Sequence, residues 1–431
     1  MPANAMNALA CPRFRSAKAA QQGAATLVTV MVLFFVLAMM AAYANRNLVF
    51  EQRIASNYFR SGVAAEAAES GIEWAIAMLN GGNVDASCQA VNAPGSNFRQ
   101  RYLTALPTQG YGPVLPVANF SRAGCTANGP NTWVCDCPAA GAATSPAANA
   151  SALQPSFGVR FPGLGSQKNI VLLNVTGCSS LLSDCATFNQ AMVDSAIGQT
   201  SVTVGLGFLS ALRMPPASPL VAALDVNLGT NLGLHNSDPS TNGLVVQTGG
   251  QLLGSSDRLT SVPGTPAQDA IVKQDANLQP ATMFRRYFGM SLTRYQGQPN
   301  VRTVQCNGDC LAAAGVAATA AADVIWINED ATLADNVVLG SAAAPVLLIV
   351  NGNLTVTGPI QIHGVIYVTG NVKWDNASAM PSQLIGALVT QGSFGATGLV
   401  DLAYDPQIIS ILNKQHGAFV RIPGSWIPGL N

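Results

Sequence analysis

The sequence predicts an α+β fold in which a long N-terminal transmembrane α-helix precedes a mainly-β, solenoid-like domain of the parallel β-helix type that carries a helical insertion. Three observations predict it: an uncharged apolar run from Ala24 to Ala44, a helix-patterned continuation without proline as far as Asn80, and short apolar runs entering polar turns that recur roughly every 20 residues beyond Val324.

The apolar run comes first. As a helix it spans roughly 31 Å, close to one bilayer core. Arg13, Arg15 and Lys18 precede it and hold that end cytoplasmic, so everything after Asn45 is expected outside the cytoplasm. A cleavable secretory signal is the competing reading, but its apolar core ends by about 15 residues. Here the pattern continues as NLVFEQRIASNYFRSGVAAEAAESGIEWAIAMLN before the stop signal Gly81-Gly82. From Ala24 to Asn80 one helix on the order of 85 Å results, its front half built for lipid and its back half for water. In the back half Ala65, Ala68, Ile72, Ile76 and Leu79 form a stripe expected to dock on the chain's own domain, with Glu66, Glu69 and Glu73 on a flanking face. Trp74 points away from that stripe, toward a neighbouring subunit or another part of the same domain.

The segment QQGAATLVTVMVLFFVLAMMAAYANRNLVFEQRIASNYFRSGVAAEAAESGIEWAI resembles the N-terminal region of PilX-type minor pilins of the type IV pilus. The resemblance implies a cytoplasmic leader, residues 1–23, removed by a membrane-embedded prepilin peptidase between Gly23 and Ala24. It also implies a pilin-like helix, residues 24–80, that is retained in the mature protein with its membrane part at 24–44. Pilins of this class carry Glu at the fifth mature position, where it neutralises the amine of an adjoining subunit. Here that position is Val28. An unpaired buried amine is costly, so a subunit lacking the carboxylate suits a priming or tip position; drift in a subunit of unspecific location is the alternative. The end of the chain from about Val324, including PGSW, also resembles the C-terminal part of large PilX-like assembly proteins.

Composition agrees with export. Charged residues make up 10% of the chain, Lys+Arg equals Asp+Glu at 21 each, and no basic footprint for nucleic acid exists. Of nine cysteines, Cys11 falls in the leader that the resemblance removes. The rest, Cys88, Cys125, Cys135, Cys137, Cys178, Cys185, Cys306 and Cys310, read as an oxidised disulfide set. Cys178 with Cys185 and Cys306 with Cys310 close local loops, whereas Cys135 and Cys137 are too near for an easy mutual bridge and pair outward with Cys88 and Cys125. Zinc is the alternative, disfavoured by the absence of any CxxC pair or nearby histidine.

Residues 83–205 are expected to form a cysteine-bearing linker and β region, with the low-complexity stretch PAAGAATSPAANASALQPS as a linker or surface loop and FGVRF, NIVLLNVTG and QTSVTVGLGFLSAL as strands. Residues 206–431 form the repeat-containing domain. Its turn positions Glu329, Gly352, Gly370 and Gly392 superpose, with an earlier copy over Gly243 and Gly249. A β-sandwich is the competing fold, but no Asn-Gly or Asp-Gly hairpin sits between tightly alternating strands along the whole region. Residues 255–322 interrupt the repeat without strand signature and include a short helix offering Phe284, Tyr287 and Phe288 for burial. Asp405 and Pro406 begin another helix. The terminal VRIPGSWIPGLN is expected to be irregular and to cap the solenoid end, anchored by Trp426.

Chemistry is thin. His235, His363 and His416 are scattered, and no nucleophile elbow, phosphate loop or HExxH motif occurs. Glu329, Asp330 and Asp335 lie near one another without the spacing of a calcium loop, so solvated turn acids are the simpler account. No catalytic residue, cofactor or metal ligand is assigned. The expected function is that of a non-enzymatic minor pilin: held in the inner membrane with its bulk in the periplasm, acting in pilus assembly, priming or tip structure, and displayed at the surface afterwards. Its expected partners are other pilins and minor pilins, the peptidase and a tip adhesin. A membrane-anchored adhesin or glycan-active enzyme on a β-helix is the alternative.

Overall fold

The structure is a computed structural model that describes residues 22–91, 97–106, 110–113, 123–129, 132–138, 154–162, 170–180, 198–229, 231–306, 308–319, 324–334 and 336–429. Most of the leader, Cys185, Asp335 and the core of the low-complexity stretch lie outside these residues. The chain divides into two compact units, residues 1–59 and 60–431. An uninterrupted helix, Gln22–Asn80, supplies the first and opens the second.

In the first unit the large apolar side chains from Leu27 to Phe59 stand exposed. In the second, the helix packs on an antiparallel sheet. The order across that sheet is Gly417–Arg421, Gln199–Ser210, Ile170–Cys178, Ser156–Arg160, Ala123–Ala127 and Trp133–Asp136, with Ile427–Pro428 also paired to Gln199–Ser210. The buried helix face is Ala64, Ala67, Ala68, Gly71, Ile72, Ala75 and Leu79, while Ala65 and Ile76 are only half-buried. This corrects the expected stripe, and the reason is close approach. A Cβ on Gly177 would lie 2.1 Å from the Ala64 carbonyl oxygen, and one on Gly71 would lie 2.7 Å from a Val175 methyl. Small residues face the sheet because helix and strand backbones nearly touch. Glu66, Glu69 and Glu73 are exposed. Trp74 meets Phe98 and Phe157 of the same unit, at centroid distances of 5.5 and 5.4 Å.

The C-terminal segment is not an irregular cap. Gly417–Arg421 and Ile427–Pro428 form strands on Gln199–Ser210, and the Ser425 hydroxyl accepts from Gly205 N at 3.0 Å. Proline and glycine are tolerated because this is an edge, paired on one side only. Trp426 donates from Nε1 to Glu69 Oε1 at 2.9 Å.

Between residues 210 and 417 the chain forms two parallel ladders. One joins Val301–Val304, Val324–Ile327, Val346–Val350, Gln361–Val368, Ser382–Thr390, Val400–Ala403, Leu232–His235 and Leu259–Thr260 in that order; the other joins Ala331–Leu333, Leu354–Thr357, Val372–Asn376, Phe394–Gly398, Val226–Asn227 and Leu252–Leu253. The chain alternates between them, and their apolar faces share one interior that includes Leu348, Val356, Ile366 and Trp374. The spatial order is not the chain order. Leu220 pairs with Leu388, Val226 with Phe394 and Leu232 with Val400, so the first passes continue the stack beyond the last. Entry and exit therefore meet in the middle, where Ser210 pairs with Gly417.

The turns stack as well. Gly370 N donates to Gly352 O and Gly392 N to Gly370 O. Leu220–Ala222 joins Ser382–Thr390 to Val246–Thr248, which brings Gly250, rather than Gly249, into line with Gly392. The earlier repeat copy is thus displaced by one residue. Beside the glycines, Asp330 Oδ1 accepts from Asn353 N, Asn353 Oδ1 from Asn371 N and Asn371 Oδ1 from Ser393 N, at 2.7, 2.8 and 2.9 Å.

Residues 255–322 do contain strands, contrary to expectation. Leu259–Thr260 and Ile271–Val272 sit at one outer edge of the stack and Val301–Val304 at the other. Such short strands have too few residues to show alternation and are recruited by the neighbour already in place. The helices Pro280–Phe288 and Leu292–Gln296 lie on the connection between those edges, burying Phe284, Tyr287, Phe288 and Tyr295 against Trp326 and Tyr367 on the outer face of the first ladder. Leu311–Thr319 contributes Leu311, Ala314 and Ala317 to the interior between the ladders. Pro406–Gln415 starts at Asp405, whose carboxylate accepts from Gln407 N and Ile408 N.

Candidate assembly segment

Gly23 and Ala24 lie in the first turn of Gln22–Asn80. Val28 is exposed, in an exposed apolar run. The polar group nearby is internally satisfied, since the Thr29 hydroxyl donates to Ala25 O at 2.8 Å, as a lipid or a dry helix interface demands. Among the described residues this is the one helix long and apolar enough to cross a membrane by length and composition.

Arginine chemistry that the sequence did not reveal closes the other end of the helix. Arg99 is 4% exposed. It donates from Nε and Nη2 to Leu79 O at 3.1 and 2.9 Å, and from its two terminal nitrogens to Gln415 O and Gly417 O at 3.1 and 2.9 Å. Its guanidinium lies over Tyr111, Phe208 and Phe419. A cation here satisfies orphan carbonyls and opposes the negative end of the helix dipole. Asn80 adds a reciprocal pair, donating to Phe419 O and accepting from Phe419 N. One signal was available: an arginine in a short helix between aromatics, FRQRY, shortly after a helix stop.

The cysteines resolve into pairs. Cys88 is bonded to Cys137, Cys125 to Cys135 and Cys306 to Cys310. Cys125 and Cys135 are direct register partners on adjacent strands. Cys178 is disulfide-bonded, and its expected partner Cys185 lies outside the described residues. Every described cysteine is thus oxidised, which leaves none of them a thiolate for zinc. No group of three or more His, Cys, Asp or Glu side chains placed to hold a metal ion occurs among the described residues.

The other singled-out residues serve the scaffold. Glu329 accepts from Cys306 N, and backbone and side-chain bonds from Asn353 hold the Asp330 carboxyl below its ordinary range. His235 joins Thr260 through Nδ1 at 2.8 Å and Asp401 through Nε2 at 3.2 Å, with Arg258 on the same Asp401 oxygen. Thr260 is its register partner in the ladder; the bonds tie adjacent passes, and the arginine neutralises the carboxylate. His363 lies in the strand Gln361–Val368, opposite Ile385. His416 accepts from Ala211 N at the insert junction through its carbonyl.

The N-terminal segment is similar to a known family. Residues 22–73 match the family described as PilX N-terminal. Over that stretch the chain is PilX-like. It runs from the first turn of the long helix to Glu73, ending within the part docked on the sheet. The chain is also similar, at a TM-score of 0.24 and 11% identity over 86% of this chain and 98% of that one, to the crystal structure of the competence-associated pilin ComZ from Thermus thermophilus. No curated protein matches the chain. The PilX segment thus joins an apolar helix suited to membrane anchoring with a docked helical half and a large mainly-β body.

Proposed function

We propose that the chain is a non-enzymatic minor pilin of a type IV pilus. The observation that carries this reading is the PilX segment itself, a helix whose front is exposed and apolar and whose rear rests on an antiparallel sheet. Such a front partitions into the bilayer before assembly and packs against like helices afterwards. On this reading a prepilin peptidase cleaves between Gly23 and Ala24, the bulk of the chain is periplasmic, and the assembled subunit is exposed on the pilus. Val28, lacking a carboxylate for a neighbouring amine, supports a priming or tip position. The two parallel ladders, with stacked glycine turns and an Asp-Asn side-chain column, are read as a solenoid of the β-helix type, projected for surface or partner contact, including a tip adhesin.

N-terminal sequencing of mature protein from producing cells tests the proposal. The expected first residue is Ala24. A chain beginning at Met1, or beyond Tyr43, would sink it.

A further inference from the structure

Charge is segregated along the ladder body. Residues 276–308 contain four arginines and no carboxylate, whereas residues 303–372 contain five carboxylates and neither lysine nor arginine. The arginines gather on the insert helices. Arg285 and Arg286 stand on the face of Pro280–Phe288 opposite the buried Met283, Phe284, Tyr287 and Phe288, and Arg294 is exposed on the helix that follows. Arg213 joins them, since a Cβ on Gly289 would lie 2.7 Å from its Cδ. Next to it is Met214, 48% exposed, whose backbone N donates to Tyr287 O at 3.0 Å. The carboxylates gather at the end of the ladders that starts with Val301–Val304. Asp309 Oδ1 accepts from Leu311 N and Ala334 N at 3.0 and 3.1 Å, so its charge sits between the helix Leu311–Thr319 and the turn that leads to Val338. Glu329 and Asp330 are exposed in the same pass. Beside them Val316, Val337 and Val338 are exposed by 53%, 40% and 58%, and Leu311–Thr319 packs next to Val338–Leu339. Among the described residues none of these arginines or carboxylates forms an ion pair, although Arg286 is near enough to Asp275 to help lower its carboxyl.

The two patches complement each other, one an apolar surface with a cationic border and the other an apolar surface with an anionic border. We infer that the arginine-bordered patch of one copy docks on the acid-bordered ladder end of a second copy. Met214 then meets Val316 and Val338, while Arg213, Arg285 and Arg294 face Asp309, Glu329 and Asp330. Two copies meeting through the same patch would set like charges together, which opposes a symmetric pair. Exposed ion pairs contribute little affinity singly. The apolar contact, with a methionine that adapts its shape, supplies attraction, and the charges select partner and orientation. Because the two patches are different surfaces, the contact is heterologous and builds rows of copies rather than closed pairs. It lies wholly within residues 60–431 and goes beyond the pilin reading, which stands or falls separately.

The test uses two differently tagged full-length copies purified in detergent, one Met214→Cys and the other Val338→Cys, mixed under mild oxidation. A disulfide between unlike copies is expected, in excess of links between like copies. Arg285→Glu with Arg294→Glu on the first copy should lower it at least about tenfold, and Glu329→Lys with Asn336→Lys on the second should restore it. Absence of linkage, linkage that ignores the charges, or like copies linking as readily as unlike ones overturns the inference. Sedimentation of the unsubstituted chain in the same detergent checks it without variants. The mass should rise with protein concentration and fall back between about 0.05 and about 0.5 M salt. A monomer at every concentration would assign the two patches to other partners, and association that salt leaves unchanged would assign it to other surfaces; either result overturns the inference.

Discussion

Gly177 shows how much of the helix-sheet contact depends on a missing methyl. A Cβ there would meet the Ala64 carbonyl at 2.1 Å and Ala68 N at 2.5 Å, both backbone atoms that no rotamer change can move. Gly177→Ala should therefore destabilise the second unit by about 2–3 kcal/mol, read as a lower urea midpoint at unchanged m-value. The sequence named the right helix but a partly wrong face, because a hydropathy stripe selects large side chains whereas this contact selects small ones. Arg99 was hidden for a related reason: its partners are backbone carbonyls up to residue 417, far outside the local FRQRY signal. Titration also belongs at this scale. The Asn277 amide above all holds the Asp275 carboxyl below its ordinary range, and the Lys373 side chain does the same for Asp375. With Asp330, their contribution is complete above the ordinary value near 4 and is lost as pH falls through the lower folded values. Burial pushes the Tyr287 and Tyr404 phenols up to about 12; that contribution is complete below about 10 and is lost as pH rises toward 12. Melting temperature against pH should fall off on both flanks, the alkaline fall following tyrosinate absorbance.

At the scale of elements, the antiparallel sheet relies on its disulfides. Cys88–Cys137 ties the loop after the helix to the residue that follows the strand Trp133–Asp136, across 49 residues. Replacing both cysteines by serine should cost about 2–4 kcal/mol and expose residues 83–91 to protease first, as limited proteolysis would show. The strands of this sheet were legible wherever runs were long, as in NIVLLNVTG. Its last members were not: Gly417–Arg421 and Ile427–Pro428 take their conformation from an edge supplied some 200 residues earlier, and such pairing leaves little local trace. The repeat was legible for the same reason that it slipped by one residue at Gly249. Turn glycines announce themselves, but strand register is set by stacking on the neighbour.

For the whole molecule, the decisive fact is that Ser210 and Gly417 are paired neighbours. Replacing residues 211–416 with an Asn-Gly turn should leave a hairpin and a folded helix-sheet body with its Cys88–Cys137 bond, checked by circular dichroism and thiol titration. Loss of the fold would mean that the ladders are needed to hold the sheet. This junction leaves no local mark, since the repeats read as a simple forward succession. The reversal of order has a consequence for descent. The chain reaches one outer edge of the ladders at Val272 and restarts at the other at Val301, so a duplicated or lost pass beside either residue changes the ladder length without disturbing the junction. A lineage built on this plan is free to drift in length at its far edges while the strands around residues 210 and 417 stay constant.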